Sequence, residues 1–162
     1  MKLRFVIPGS EASHTSGGSW LPVSADQKIS PTIIIRRPPG AREVSQELLS
    51  GSWRPVSREQ AENLLRVDPT DLAVVLRFAR TEGLQVIAQN AEARTVQIEG
   101  TTTQIGAAFG VTIQWRTDPS APKGQRYLSY QGALTLPAEL SGIVEAVLGL
   151  DQRPIARHAT GV

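Results

Sequence analysis

The sequence has 162 residues, of which 40% are hydrophobic, and it contains no cysteine. A chain of this length is expected to form one domain with a real core, and the missing thiols exclude disulfides and thiolate metal sites. Seventeen Lys and Arg against fifteen Asp and Glu give a net charge of only +2, which does not require a nucleic-acid partner.

The first 25 residues predict a flexible leader. The stretch PGSEASHTSGGSWLPVSA, residues 8 to 25, is rich in Ser, Gly and Pro and carries few apolar residues. The preceding apolar run is broken by Pro8 and Gly9 before it reaches the length of a signal-peptide core. Order is therefore expected to begin near Asp26, and the sequence contains no transmembrane run.

One buried strand and one capped helix are predicted next. The segment ISPTIIIRRP, residues 29 to 38, holds three consecutive isoleucines between turn-forming residues. This pattern is typical of a buried strand with Pro31 at its first position. Further along, Ser57 and Gln60 form a capping-box pattern, which predicts a short helix that ends at about Arg66.

The segment DPTDLAVVLRFARTEG carries the clearest helix pattern in the chain. Asp68 is suited to cap this helix, Pro69 to occupy its first position, and Gly83 to end it. Its apolar face consists of four residues: Leu72, Val75, Leu76 and Ala79.

A hairpin, a helix and a strand follow. Two short runs with alternating apolar residues, LQVIAQ at 84 to 89 and RTVQIEG at 94 to 100, predict the hairpin. The segment TTTQIGAAFG begins with a threonine cap and ends at Gly110, and its apolar positions predict a helix. The face of that helix consists of Ile105, Ala108 and Phe109. VTIQW after it is typical of a strand.

These elements follow the order β-α-β-β-α-β, which is the split β-α-β pattern of ferredoxin-like domains. We therefore expect an α+β fold with a four-stranded antiparallel sheet and two helices on one face. Beyond this core, RYLSYQG predicts an extra strand, and residues 137 to 148 predict a C-terminal helix. The domain is expected to span residues 26 to 150, and residues 151 to 162 are expected to leave it as an extended linker.

No catalytic constellation is evident, and no cofactor or metal site is predicted. Both histidines, His14 and His158, lie in the predicted leader and tail, so neither can serve a core serine as a general base. Gly17 and Gly18 lack the strand-loop-helix context of a phosphate-binding loop. Several carboxylates occupy helical positions that explain them without catalysis: Asp68, Asp71, Glu59, Glu62 and Glu82.

Aromatic residues are absent from the predicted central strands and cluster later in the chain. Single-stranded RNA binding on a ferredoxin-like sheet uses aromatic side chains on the central strands, but TIIIRR and TVQIEG have none. Trp115, Tyr127 and Tyr130 lie on later strands instead. They could pack over the sheet or contribute to a protein-binding face, and core packing is the favoured alternative.

Four segments together resemble a known family. They are DQKISPTIIIRRP, DLAVVLRFARTEGL, EGTTTQIGAAFGV and LPAELSGIVEAVLGLDQRPIAR, and they cover about residues 26 to 157. Their order, spacing and character resemble the activation prodomain of the sedolisins, the kumamolisin-like serine-carboxyl peptidases. The AAFGV helix end and the AVLGLDQRP exit are the most specific shared features. Prodomains of this family resemble a ferredoxin-like fold.

The resemblance implies a propeptide that assists folding of a peptidase domain and blocks its active site until acid-triggered proteolysis of the linker. That domain, with its Glu, Asp and Ser catalytic residues and its calcium site, would begin shortly after residue 162. We therefore expect this chain to be no enzyme and to hold no cofactor. The expected partner is a cognate peptidase domain, in cis or in trans, with no nucleic acid or membrane involved. The resemblance also implies a secreted bacterial precursor, although no signal peptide is recognisable.

Two groups of residues are expected to carry these roles. The processing linker is expected to include Arg153, Arg157, His158 and Ala159, because a peptidase needs an extended segment. The candidate partner-facing residues are Trp115, Tyr127, Tyr130 and Asp151. Further contacts are expected at the sheet edge or the helices, together with the tail. Two rival functions remain. An enzyme would show turnover by the purified chain. A stand-alone ferredoxin-like module without a protease partner would bind protein or nucleic acid, and binding to nucleic acid would weaken as salt rises.

Overall fold

A computed structural model describes residues 3–14, 16–52, 54–121 and 125–154, with side chains at 42–45 left out. Within these ranges the chain forms four helices and ten strands around one hydrophobic core. In chain order these elements are β1 (Arg4–Val6), β2 (Trp20–Leu21), β3 (Lys28–Ile29), β4 (Thr32–Ile35), α1 (Pro39–Ser50), α2 (Arg58–Leu65), α3 (Pro69–Thr81), β5 (Gln85–Asn90), β6 (Thr95–Thr101), α4 (Thr102–Phe109), β7 (Thr112–Thr117), β8 (Arg126–Gln131), β9 (Thr135–Pro137) and β10 (Val144–Leu148).

The main sheet confirms the ferredoxin-like α+β class. Its neighbours are all antiparallel: β10 pairs with β4, β4 with β6, and β6 with β5. The elements β4, α3, β5, β6, α4 and β10 form the split β-α-β core. The fourth strand of this core is β10, whereas the sequence pattern assigned that place to VTIQW. The latter forms β7, which pairs with β8 and β2 in a second, three-stranded sheet.

One face of the main sheet packs against α3 and α4. The β-branched run in β4 alternates as a strand must, so Ile33 and Ile35 are both fully buried. Phe78 from α3 and Phe109 from α4 meet edge to face, with ring centroids 5.9 Å apart. These residues belong to one continuous core, which confirms the predicted two-helix layer.

The predicted helix starts are confirmed by their side-chain caps. Ser57 and Gln60 exchange both capping-box hydrogen bonds at the start of α2, and Thr101 does the same with Gln104 at the start of α4. Asp68 caps α3, with Pro69 in the first turn. These capping motifs could be recognised in the sequence because each cap involves residues at most three positions apart.

The predicted C-terminal helix over residues 137 to 148 is wrong. The segment forms the end of β9, a short 3-10 turn at Ala138–Leu140, and strand β10. Gly142 turns the chain with a φ of 73°, and the backbone N–H of Arg36 donates to the carbonyl of Ile143 at 2.8 Å. The segment therefore forms a strand because it pairs with the edge of β4, although its local apolar pattern predicts a helix.

The predicted flexible leader is also wrong over much of its length. Strand β1 pairs antiparallel with β9, and β2 pairs with β7. Ile7 is only 1% exposed, and its backbone N–H donates to the carbonyl of Leu134 at 2.9 Å. Strand pairing and the buried Ile7 therefore hold this leader in the fold, although its composition is rich in Ser and Gly.

Helix α1 was not predicted from the sequence. It begins after Pro38 and ends at Gly51, whose φ of 73° is the left-handed conformation that favours glycine. Leu48 and Leu49 on α1 are exposed, and α2 has no buried residue. No helix within the described ranges is long and apolar enough to cross a membrane.

Candidate functional site

Two of the carboxylates that the sequence placed on helices, Asp68 and Asp71, make structural contacts. Asp68 accepts hydrogen bonds from the backbone N–H groups of Thr70 at 2.7 Å and Asp71 at 3.4 Å. The buried carboxylate of Asp71 accepts from Arg36 Nε at 2.6 Å and Nη2 at 3.0 Å. The hydrogen bond to Asp71 raises the pKa of Arg36 above its ordinary value, so the charged pair ties the end of β4 to α3. Among the described residues, no group of three or more acidic or histidine side chains is placed to hold a metal ion.

His14 packs the leader onto the second sheet. Its Nε2 donates to the carbonyl of Tyr130 at 2.9 Å, and its ring meets the Trp20 ring edge-on at 4.8 Å between centroids. The Arg116 guanidinium lies 4.8 Å from the centroid of the same Trp20 ring and donates to the carbonyl of Gly18. The contacts of His14 are those of a packing residue.

The aromatic residues proposed as partner-facing are covered to different degrees. Tyr127 and Tyr130 are only 4% and 6% exposed, which favours the core-packing alternative for both. Trp115 is half-buried, and the Arg126 guanidinium lies 4.5 Å from its ring centroid. Asp151 is half-buried at the start of the tail. A partner-facing role for these residues stays a proposal.

Tyr130 links the leader to the exit of the chain. Its hydroxyl donates to the carbonyl of Ser10, and its backbone carbonyl accepts from His14. Burial, followed by the nearby charge of Asp151, raises the pKa of the Tyr130 phenol above its ordinary value of 10. The middle of the leader and the start of the tail thus lie close to β8.

The exit segment, which we define as residues 149–154, stays attached to the domain. Gly149 has a φ of 90° and turns the chain away from β10, after which Leu150 is buried to 1% exposure. The backbone N–H of Gln152 donates to the carbonyl of Leu128 on β8 at 2.8 Å. Of the predicted processing linker, Arg153 is exposed next to this anchor. Arg157, His158 and Ala159 lie outside the described residues.

The second candidate surface is the open face, which we define as the side of the main sheet opposite α3 and α4. Two rows of side chains cross it in register: Leu148, Thr32, Gln97 and Ala88 in one, and Ala146, Ile34, Thr95 and Asn90 in the other. All eight are half-buried or exposed, and Leu148 is 55% exposed. At one end of this face Lys28 Nζ lies 3.1 Å from Glu99 Oε1. The face mixes apolar and polar groups, as the surfaces of non-obligate protein complexes do.

The sequence patterns did not reveal this open face. It depends on β10, which was assigned to a helix, and on the register that places Leu148 opposite Thr32. The alternation of apolar and polar residues in TVQIEGT was the one available signal, because Thr95, Gln97 and Glu99 point away from the buried side.

Comparison with known proteins identifies the family of this chain. The family description "Pro-kumamolisin, activation domain" matches residues 22–153. Kumamolisin of Bacillus sp. (strain MN-32) is 30% identical over 141 residues, which is 84% of this chain and 25% of that protein. Tripeptidyl-peptidase sed5 of Aspergillus fumigatus is 26% identical over 167 residues, 92% of this chain and 29% of that protein. The chain thus spans about a quarter of the length of these relatives. With a split β-α-β core and a family match over most of its length, the chain belongs to the pro-kumamolisin activation domains, the propeptides of sedolisin-type peptidases.

Proposed function

We propose that this chain inhibits a sedolisin-type serine-carboxyl endopeptidase, assists the folding of that enzyme, and is removed by proteolysis in acid. The family match over residues 22–153 is the observation that carries the proposal. A preformed core supports it, because a propeptide that templates or blocks another domain must present a defined surface. The activity itself belongs to the peptidase domain, and this chain is proposed to be non-catalytic. The stand-alone binding module remains the alternative.

The open face is proposed as the main contact with the peptidase domain, in place of the helices or the sheet edge. Its exposed Leu148 and half-buried Ile34 and Ala146 provide apolar area, and Thr32 and Gln97 provide hydrogen-bonding groups between them. A stable complex needs roughly 1,000 Å² or more of buried surface, so neighbouring exposed residues would join this patch. The peptidase is proposed to meet the chain in cis or in trans, outside the cell, with calcium held by the peptidase domain alone.

Inhibition is the first property to test. The purified chain should be titrated into an active sedolisin peptidase at the highest pH where that enzyme still hydrolyses a peptide substrate, because binding is proposed to weaken in acid. Residual hydrolysis is the readout. The proposal expects stoichiometric loss of activity at about one chain per enzyme. A protein of similar size and net charge serves as the control. Full activity at a large excess of folded chain would contradict the inhibitory role.

Acid release is the second property. A carboxylate that gains a cationic or hydrogen-bonding partner in the complex has a lower pKa there than in the free chain. Its contribution to binding is present above the free value of about 4 and fades as pH falls through the bound value. The carboxylates proposed for this role are those that lie at the contact with the peptidase domain. Several such groups losing charge together would weaken affinity by a few powers of ten, since each contributes on the order of 1 kcal/mol.

The acid proposal is tested by the dissociation constant between about pH 7 and pH 3.5, measured against a catalytically inactive peptidase. Circular dichroism of the free chain in parallel separates release from acid unfolding. Affinity is expected to fall across this range while the chain stays folded. A constant or rising affinity would exclude carboxylate protonation as the switch.

A further inference from the structure

The exit segment is attached to the domain by two contacts, and two more hydrogen bonds lie within the segment itself. Leu150 anchors it in the core at 1% exposure, and Gln152 N–H donates to the Leu128 carbonyl on the outer strand of the second sheet. The side-chain amide of Gln152 also donates to the carbonyl of Gly149 at 3.3 Å, and Asp151 Oδ1 accepts from the backbone N–H of Arg153 at 3.3 Å. The backbone from 149 to 153 is therefore engaged on both sides of Gln152.

Pro154 extends this attachment along β8. It lines a small cavity of about 40 Å³ together with Asp118, Ala121, Gln125, Arg126 and Tyr127. Gln152 lies beside Leu128, and Pro154 lines the same cavity as Arg126. This order is the one expected if the exit segment runs antiparallel to β8.

We infer that the exit segment is a clamp on β8, and that it protects the bonds up to Arg153–Pro154 from proteolysis, so that processing starts beyond Pro154. A peptidase binds its substrate as an extended segment with free backbone groups. Cleavage inside the clamp would therefore require Gln152 to leave Leu128 and Leu150 to leave the core. This removes Arg153 from the predicted processing residues. The inference rests on the proposed function only for the identity of the peptidase.

Trypsin provides a test that needs no sedolisin partner. Pro154 blocks tryptic cleavage after Arg153 for chemical reasons, so the full chain is first changed to Pro154→Ala. Formation of the fragment 1–153 is followed by mass spectrometry. Each rate is divided by the rate for a synthetic peptide of residues 146–162 with the same substitutions, which corrects for the intrinsic preferences of trypsin.

Two further variants separate the clamp from ordinary packing. Pro154→Ala with Gln152→Pro removes the N–H that donates to Leu128, whereas Pro154→Ala with Gln152→Ala keeps that N–H and loses only the side-chain bond. Thermal unfolding followed by circular dichroism checks that each variant folds. A double variant that fails to fold is replaced by Pro154→Ala with Leu150→Val, which shortens the buried anchor.

The inference expects the Pro154→Ala chain to be cut after Arg153 about tenfold or more slowly than its peptide, because the cut requires local opening. Gln152→Pro, or Leu150→Val in its place, should remove most of this protection, and Gln152→Ala should keep it. Cleavage of the folded Pro154→Ala chain at the rate of the peptide would overturn the clamp. Equal rates for the Gln152→Pro and Gln152→Ala chains would also overturn it. These outcomes leave the inhibition titration unaffected, so the two proposals fail separately.

Discussion

Phe109 is a core residue that the sequence pattern already indicated. It was predicted to close the apolar face of its helix, and it is fully buried against Phe78. Phe109→Ala should lower the free energy of unfolding by about 3–5 kcal/mol, because it leaves a cavity in the core. Leu49→Ala, at a residue that is 89% exposed, is the matched control and should change it by less than about 0.5 kcal/mol. Urea unfolding measures both, and a loss below about 1 kcal/mol for Phe109→Ala would mean that the helix is misplaced.

Tyr130 leads to a prediction about alkaline stability. Its pKa is raised above 10 in the folded chain by burial and by Asp151. Above pH 10 the unfolded chain therefore releases the phenolic proton before the folded chain does, and the unfolded state binds fewer protons. The contribution to stability is present below pH 10 and is lost as pH rises through the folded value.

Tyr130→Phe removes this titration, so the free energy of unfolding should fall less steeply with pH in the variant. Urea unfolding of the variant and the original chain at pH 8 and about pH 10.5 gives the comparison. The variant also loses the hydrogen bond to Ser10. That loss lowers the free energy of unfolding by the same amount at both pH values, so it does not affect the slope. Identical slopes for the two chains would contradict the assignment.

Strand β1 is expected to contribute to the stability of the fold, although the composition of the leader did not indicate this. Ile7, just after it, is 1% exposed, and its neighbour Val6 is 54% exposed. Ile7→Ala should therefore lower the free energy of unfolding by about 2–5 kcal/mol, and Val6→Ala should have a much smaller effect. A truncation that starts at Ser24 should lose at least as much as Ile7→Ala. Equal unfolding midpoints for the truncated and full chains would show that the leader is dispensable after all.

Some helices and strands contain a short sequence motif that predicts them, and others do not. Helix α3 and the β5–β6 hairpin were predictable because a cap, a terminal glycine or a short turn lies within the element itself. The assignment of β10 failed because its apolar residues fit a helix equally well, and pairing with β4 decides the outcome. Helix α1 was missed because its N-cap residue, Pro38, makes no side-chain capping hydrogen bond, so no capping motif marks its start.

Over the full length of the chain, the order of elements predicted the fold class, and the antiparallel main sheet confirms it. The four quoted segments indicated the family, and the family match confirms that resemblance. The candidate surfaces could not be predicted from the sequence in this way. The open face depends on cross-strand register, and the clamp depends on a contact between residues 128 and 152. Neither pairing leaves a periodic trace in one sequence, since the partners are far apart along the chain.

As a propeptide, this chain is proposed to have a sedolisin peptidase domain as its ligand. Calorimetric titration of the folded chain into a catalytically inactive sedolisin domain near pH 7 measures this binding. We expect saturable one-to-one binding with a dissociation constant of about 1 μM or tighter. Binding should weaken by at least about tenfold for Leu148→Glu on the open face and stay unchanged for Leu49→Glu on α1. If the folded chain showed no saturable binding up to about 100 μM, the peptidase domain would not be its ligand.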